Sequence, residues 1–126
     1  METAQLIISR KDFDILREHL KLSTTLSEFN KQKLAKELSE AKVLSEEELP
    51  VDVVRLESFV KIESTDSNKS FNFQLVMPAE ADMKKQKLSV FAPIGIALLG
   101  YQTGALIEWE MPDGVKKFKI IEVNNR

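Results

Sequence analysis

Polar and apolar positions alternate with one period in the first third of the chain and with another in the rest. Phe13, Leu16 and Leu20 recur at three- and four-residue spacing with Ile15 beside them, while Lys11, Asp14, Arg17, Glu18 and Lys21 take the opposite side. That is the pattern of an amphipathic helix, which needs a partner for its apolar face. Ser9 with Asp12 three residues on reads as a capping-box variant that starts it. The run Ser23-Thr24-Thr25 interrupts the pattern. Thr25 with Glu28 forms a second capping box, followed by Leu34, Ala35, Leu38 and Ala41 on one face. Two helices joined by a short polar turn make an antiparallel hairpin. At about 12 and about 16 residues they would be roughly 18 and 24 Å long. Val43 and Leu44 then lead into Ser45-Glu46-Glu47-Glu48, a third capping box closed by Leu49-Pro50, where a domain boundary is expected.

Beyond that boundary the period shortens to two. Residues 53–62 read as an extended segment or one bent strand, with Ser58, Val60 and Ile62 opposite in parity to Phe59 and Lys61. A polar turn follows at residues 64–69. Phe71, Phe73, Leu75 and Met77 then alternate with Asn72, Gln74 and Val76 as a second strand, ended by Pro78, and the two should pair as a hairpin. Residues 79–87 are charged and loop over a sheet edge. Leu88 and Val90 flank Ser89 in a short strand, and Pro93 opens a helix whose apolar face is Ile94, Ala97, Leu98 and Tyr101, ended by Gly100 and Gly104 at positive φ. Ile107, Trp109 and Met111 alternate with Glu108 and Glu110 up to the turn Pro112-Asp113-Gly114. Phe118, Ile120 and Val123 return as the second strand of a closing hairpin.

Composition narrows the functional classes. At 126 residues with 43% apolar content the chain is one domain, or a small domain with an appendage. It has no cysteine and one histidine, His19, so thiolate metal sites and histidine clusters are excluded. The three carboxylates at residues 46–48 fit a helix start, where the macrodipole favours negative charge, better than a cation site. The net charge of −2 argues against broad attraction to nucleic acid, whose contacts are dominated by phosphate. Lys84, Lys85 and Lys87 form a small basic cluster read as edge protection and solubility rather than nucleic-acid contact. No apolar run approaches the roughly 20 residues of a membrane span, and the N-terminus has no signal-peptide pattern, so a cytoplasmic protein is expected.

The succession Leu88-Ser89-Val90, Ala92-Pro93-Ile94-Gly95, Ala97-Leu98-Leu99-Gly100, Gly104, Ile107 and Trp109-Glu110 before Pro112-Asp113-Gly114 resembles the C-terminal domain of the bacterial GreA/GreB transcript-cleavage factors. The resemblance is greater still to their Rnk-type relatives, regulators of nucleoside diphosphate kinase, whose linker is similar to residues 48–54. It implies an FKBP-like domain, a curved antiparallel sheet around one helix, that docks on RNA polymerase at the mouth of the secondary channel. In the family the docking loop joins strand to helix and carries an acidic residue and a proline. Here Pro93 matches the proline and Phe91 stands at the acidic position, so Phe91 and Pro93 are the candidate polymerase contacts. Cleavage factors also carry paired acids at the tip of a long coiled coil, where they help to hold a metal ion in the polymerase active site. The corresponding tip here, Ser23, Thr24, Thr25 and Glu28, lacks that pair, and Glu28 is accounted for as a capping residue.

The expectation is therefore an α+β protein. A short antiparallel helical hairpin arm, a coiled coil over 1–48, precedes an FKBP-like domain over 51–126. Without the resemblance, the helices read first as a pair packed on the sheet, and it is the resemblance that favours a projecting arm. The function expected is that of a polymerase-binding elongation regulator that does not stimulate cleavage. It would have no enzymatic activity, no catalytic residue, no metal and no cofactor, would touch nucleic acid only indirectly and would be monomeric. A generic interaction or dimerisation module is the alternative. A prolyl isomerase is a weaker one, because the aromatics Tyr101, Trp109, Phe71, Phe73 and Phe118 are accounted for by core packing. Trp109 itself reads as core, with a binding role as the second option.

Overall fold

The computed structural model describes residues 5–24 and 26–125. In chain order the elements are β1 (Ile7–Ser9), α1 (Arg10–Leu22), α2 (Glu28–Ser39), β2 (Lys42–Leu44), β3 (Phe59–Ser64), β4 (Ser70–Val76), β5 (Lys87–Ser89), α3 (Pro93–Leu98), β6 (Leu106–Met111) and β7 (Gly114–Asn124). The α+β class expected from the resemblance is the one observed, with a five-stranded sheet in the order β5-β4-β3-β7-β6 and one helix packed on it.

Two of the antiparallel pairs, β3–β4 and β6–β7, the latter through the two-residue turn Pro112-Asp113, are those the alternation predicts, and a third joins β7 to β3. Residue Ile121 is extra in the last pairing, because Lys61 faces Glu122 while Ile62 faces Ile120, and such a bulge bends the strand. The sheet is nevertheless mixed, since β5 lies parallel to β4. The extended segment expected over 53–62 is also shorter. Glu57 has φ +78 and the Ser58 hydroxyl accepts from the Arg55 N–H, so a turn delays β3 to Phe59.

Two features tie the N-terminal hairpin to this domain. The parallel pair β1–β2 seats Leu6 and Ile8 over the end of α3, where the Ile7 N–H donates to the Gly100 carbonyl at 2.9 Å. At Gly100, whose φ is +91, a Cβ would lie 2.2 Å from the Leu6 side chain, so only glycine permits this approach. Second, Leu16, Leu34 and Leu38 belong to the same buried cluster as Ile96, Leu98 and Trp109. The hairpin therefore lays its inner face on the domain, as the packed-pair reading has it, rather than standing clear of it along its length. α3 is buried from Gly95 to Leu98, its Ile96 and Leu98 sharing one cluster with Leu16, Leu34 and Leu38 of the hairpin.

The starts of the helices follow their caps. Ser9 accepts from the Asp12 N–H at 3.2 Å, as the capping-box pattern requires. The Asp12 carboxylate, however, turns inward and accepts from the Leu56 N–H at 3.4 Å. The second box is corrected: Thr25 lies outside the described residues, and the cap of α2 is Ser27, which accepts from the Asn30 N–H at 3.1 Å. Ser45 and Glu48 form the third box over a single 3-10 turn, Glu46–Glu48. Ala35 is exposed, and Asn30 and Glu37 join Leu34 and Leu38 on the buried side of α2.

Candidate functional site

The turn between β5 and α3 is built around Ser89. Its hydroxyl accepts from the Phe91 N–H at 3.1 Å and its carbonyl accepts from the Ala92 N–H at 3.0 Å. Pro93 occupies the first helical position, where no N–H is needed. Gly95 lets the helix close on the turn, because a Cβ there would meet the Ser89 carbonyl at 2.6 Å and that of Val90 at 2.9 Å. Val90 is buried beneath, so the turn is held from inside. As a result Phe91 and Pro93 are displayed at the surface, Phe91 with 37% of its area exposed.

These two residues line a cleft of about 310 Å³ between the turn, the end of the helical hairpin and the β6–β7 turn. His19 stacks on Phe91, ring centroids 5.2 Å apart and planes within 10° of parallel. Burial holds the His19 imidazole below its ordinary pKa, so the stack is between two neutral rings near neutral pH. Trp109 is only 1% exposed and forms a wall, its indole N–H meeting no acceptor among the described residues. Trp109 is thus a core residue, one side of which lines the cleft. Asn30 closes the other side. It pairs with the backbone of Glu110 on the edge strand β6, its amide N–H donating to the carbonyl and its oxygen accepting from the N–H, each at 2.9 Å. The side chain thereby substitutes for a neighbouring strand and fixes α2 to the sheet edge.

Of the tip residues, Ser23, Thr24 and Glu28 do not line the cleft. Ser23 ends α1, its N–H donating to the His19 carbonyl at 2.8 Å, and Thr24 is exposed. Glu28, at the first position of α2, is exposed and accepts from Gln32 at 3.5 Å. Among the described residues no group of three His, Asp or Glu side chains is placed to hold a metal ion. No helix among them is long and apolar enough to cross a membrane. The sequence reading singled out Phe91, Pro93 and Trp109 but not His19 or Asn30. Asn30 was discernible as a polar residue four positions before Leu34 on the apolar face, whereas the His19–Phe91 stack has no local signature.

Comparison with known proteins gives a consistent result. A family model described as "Transcription elongation factor, GreA/GreB, C-term" matches residues 49–125. The transcription elongation factor GreA of Clostridium botulinum (strain Hall) is 39% identical over 87 residues, covering 69% of this chain and 54% of that protein. The GreA of Clostridium novyi is 38% identical over 86 residues, with 68% and 54% covered. The chain thus spans about half the length of the curated relatives it matches. Among solved structures, the prokaryotic transcription elongation factor GreA/GreB from Nitrosomonas europaea superposes with TM-score 0.67 at 37% identity, covering 96% of this chain and 98% of that one. GreA factor homolog 1 of Thermus thermophilus, at 23% identity, TM-score 0.51 and 96% and 99% coverage, shares the fold.

Proposed function

Because the chain belongs to the GreA/GreB transcription elongation factor family, we propose that it is an elongation regulator that docks on RNA polymerase at the secondary-channel rim. The observation that carries this is the surface turn at residues 89–93, rigid through Ser89 and Gly95, which presents Phe91 and Pro93 beside a preformed cleft. A preorganised turn loses little entropy on binding, and an aromatic ring beside an apolar cleft is suited to be a binding anchor. The contact is apolar where the family pattern has an acid, so its strength depends little on salt.

We further infer that the protein does not stimulate transcript cleavage and acts in the manner of the Rnk-type members. Between Lys21 and Glu28 there is one carboxylate, and Mg²⁺ recruitment calls for more oxygen ligands than one. The apolar faces of both helices are spent on the protein's own core, which supports a monomer rather than a dimerisation module. A cytoplasmic, non-enzymatic binding protein fits this role. The test uses backtracked elongation complexes. The protein alone should leave the transcript intact, and in excess it should slow cleavage stimulated by a GreA factor. Cleavage by the protein alone would overturn the non-stimulating reading, and undiminished GreA activity would overturn the shared docking site.

A further inference from the structure

His19, in the last turn of α1, is where the helical hairpin touches the ring displayed by the 89–93 turn. Its imidazole covers one face of Phe91, and both residues line the same cleft. The imidazole nitrogens have no hydrogen-bond or ion-pair partner among the described residues, and they stay within reach of water. No opposite charge is set against the ring from any element around it. The nearest charged residues on α1, Glu18 and Lys21, are exposed. At the start of α2, Glu28 is exposed and bonded to Gln32, and in the β6–β7 turn Asp113 pairs with Lys116. The 89–93 turn and α3 bring only uncharged residues. Glu110 of β6 is the one other titratable residue in the cleft lining, and it forms no ion pair with His19. The C-terminal turn of α1 favours a cation, yet burial outweighs it and holds the imidazole below its ordinary pKa of 6.5.

We propose, resting on the docking function assigned to this cleft, that His19 is a positioning residue: its neutral ring sets Phe91 for RNA polymerase, and docking weakens in acid. The Phe91 side chain stands on an exposed turn, and the flat contact with His19 removes its rotational freedom before a partner arrives. Ser27 and Asn30 are committed to the α2 cap and to the Glu110 backbone, so what enters the cleft is apolar. An apolar group seated there takes water away from the imidazole nitrogens. A neutral ring tolerates that loss, whereas an imidazolium gives up far more hydration. The docked chain therefore binds the His19 proton less tightly than the free chain, and proton and partner compete. Above 6.5 the ring is already neutral and the affinity is level; as pH falls below it, the proton must leave before docking.

The experiment is the affinity of core RNA polymerase for the full chain between about pH 8 and about pH 5, with His19→Phe and His19→Ala in parallel. Titrations on the polymerase side are common to the three proteins and cancel in ratios of affinity. His19→Phe keeps a stacked ring without a proton. It should match the wild type within about two-fold at about pH 8 and gain on it in acid, by roughly two- to ten-fold at about pH 5. His19→Ala should bind roughly two- to ten-fold more weakly than the wild type at about pH 8, the worth of an aromatic pair, and the gap should narrow in acid. Thermal melts at each pH establish that the chains compared are folded. Independently of polymerase, the Phe91 ring protons of the free chain should shift in magnetic resonance spectra as His19 titrates, with a midpoint below 6.5. The proposal is overturned by one pH profile shared by all three proteins, by a wild type that gains on His19→Phe in acid, by His19→Ala binding as tightly as the wild type at about pH 8, or by Phe91 shifts indifferent to the titration. Binding by none of the three overturns the docking reading itself, and the positioning role with it.

Discussion

Asn30 is the residue whose removal reports most on how the hairpin is held to the sheet. Its amide makes two hydrogen bonds of 2.9 Å to the Glu110 backbone, and the side chain is 4% exposed. Each such bond contributes a net ~0.5–1.5 kcal/mol. β6 is an edge strand and Glu110 is half-buried, so water can reach the freed backbone groups in part. Alanine is also a better helix former by about 0.6 kcal/mol. Asn30→Ala should therefore destabilise the protein by about 1–2 kcal/mol, moving a urea midpoint followed by circular dichroism by roughly 0.5–1 M at unchanged slope. Asn30→Asp sharpens the test, because its carboxylate still accepts from the Glu110 N–H but sets a second oxygen against the Glu110 carbonyl. Its pKa in the folded protein should rise above the unfolded value of about 3.9. The folded state then favours the protonated form, so the loss relative to wild type should grow as pH rises through 3.9 toward the folded pKa and shrink in acid. An Asn30→Ala protein within about 0.3 kcal/mol of wild type, or an Asp variant whose deficit is the same at low and neutral pH, would refute the edge-strand clamp.

Two further predictions rest on equally local geometry. Gly95→Ala forces a Cβ against backbone oxygens of Ser89 and Val90, which cannot rotate away, and should cost about 1–3 kcal/mol in a thermal melt while loosening the 89–93 turn. Asp12 is buried, and burial, outweighing the Leu56 hydrogen bond, raises its pKa from an ordinary 3.8. The folded state therefore holds the Asp12 proton more tightly than the unfolded one, so its contribution is largest in acid and is lost as pH rises above 3.8. Asp12→Asn, which keeps an oxygen for the Leu56 N–H, should gain stability over wild type at neutral pH, an advantage that disappears in denaturant titrations in acid. A constant difference across that range would contradict it.

How far the fold was legible depended on how local its determinants are. The β6–β7 hairpin was visible because Ile107 and Trp109 alternate with Glu108 and Glu110 directly before Pro112-Asp113. The helix after Pro93 was visible because proline and glycine bracket it. The β1–β2 pair was not, since strands of three residues carry no alternation and join segments from opposite ends of a helical hairpin. The parallel β5 was read as a strand, but its direction against β4 is set by the turns of residues 78–86, which have no hydrophobic period. The same division holds at the site. Phe91 and Pro93 stood out through motif resemblance, whereas His19 reaches Phe91 only because α1 folds back. Asn30 likewise meets Glu110 across 80 positions, a separation no local pattern spans.

The most direct test of the docking reading is the affinity of purified core RNA polymerase for the wild-type chain and for the Phe91→Ala, Pro93→Ala double variant, both checked for unchanged unfolding. The wild type should bind, a GreA factor should displace it, and the double variant should lose roughly thirty-fold in affinity, as expected for removal of a central anchor. Equal binding by the two proteins would place the contact elsewhere on the surface, and no binding by the wild type would contradict the proposed function itself.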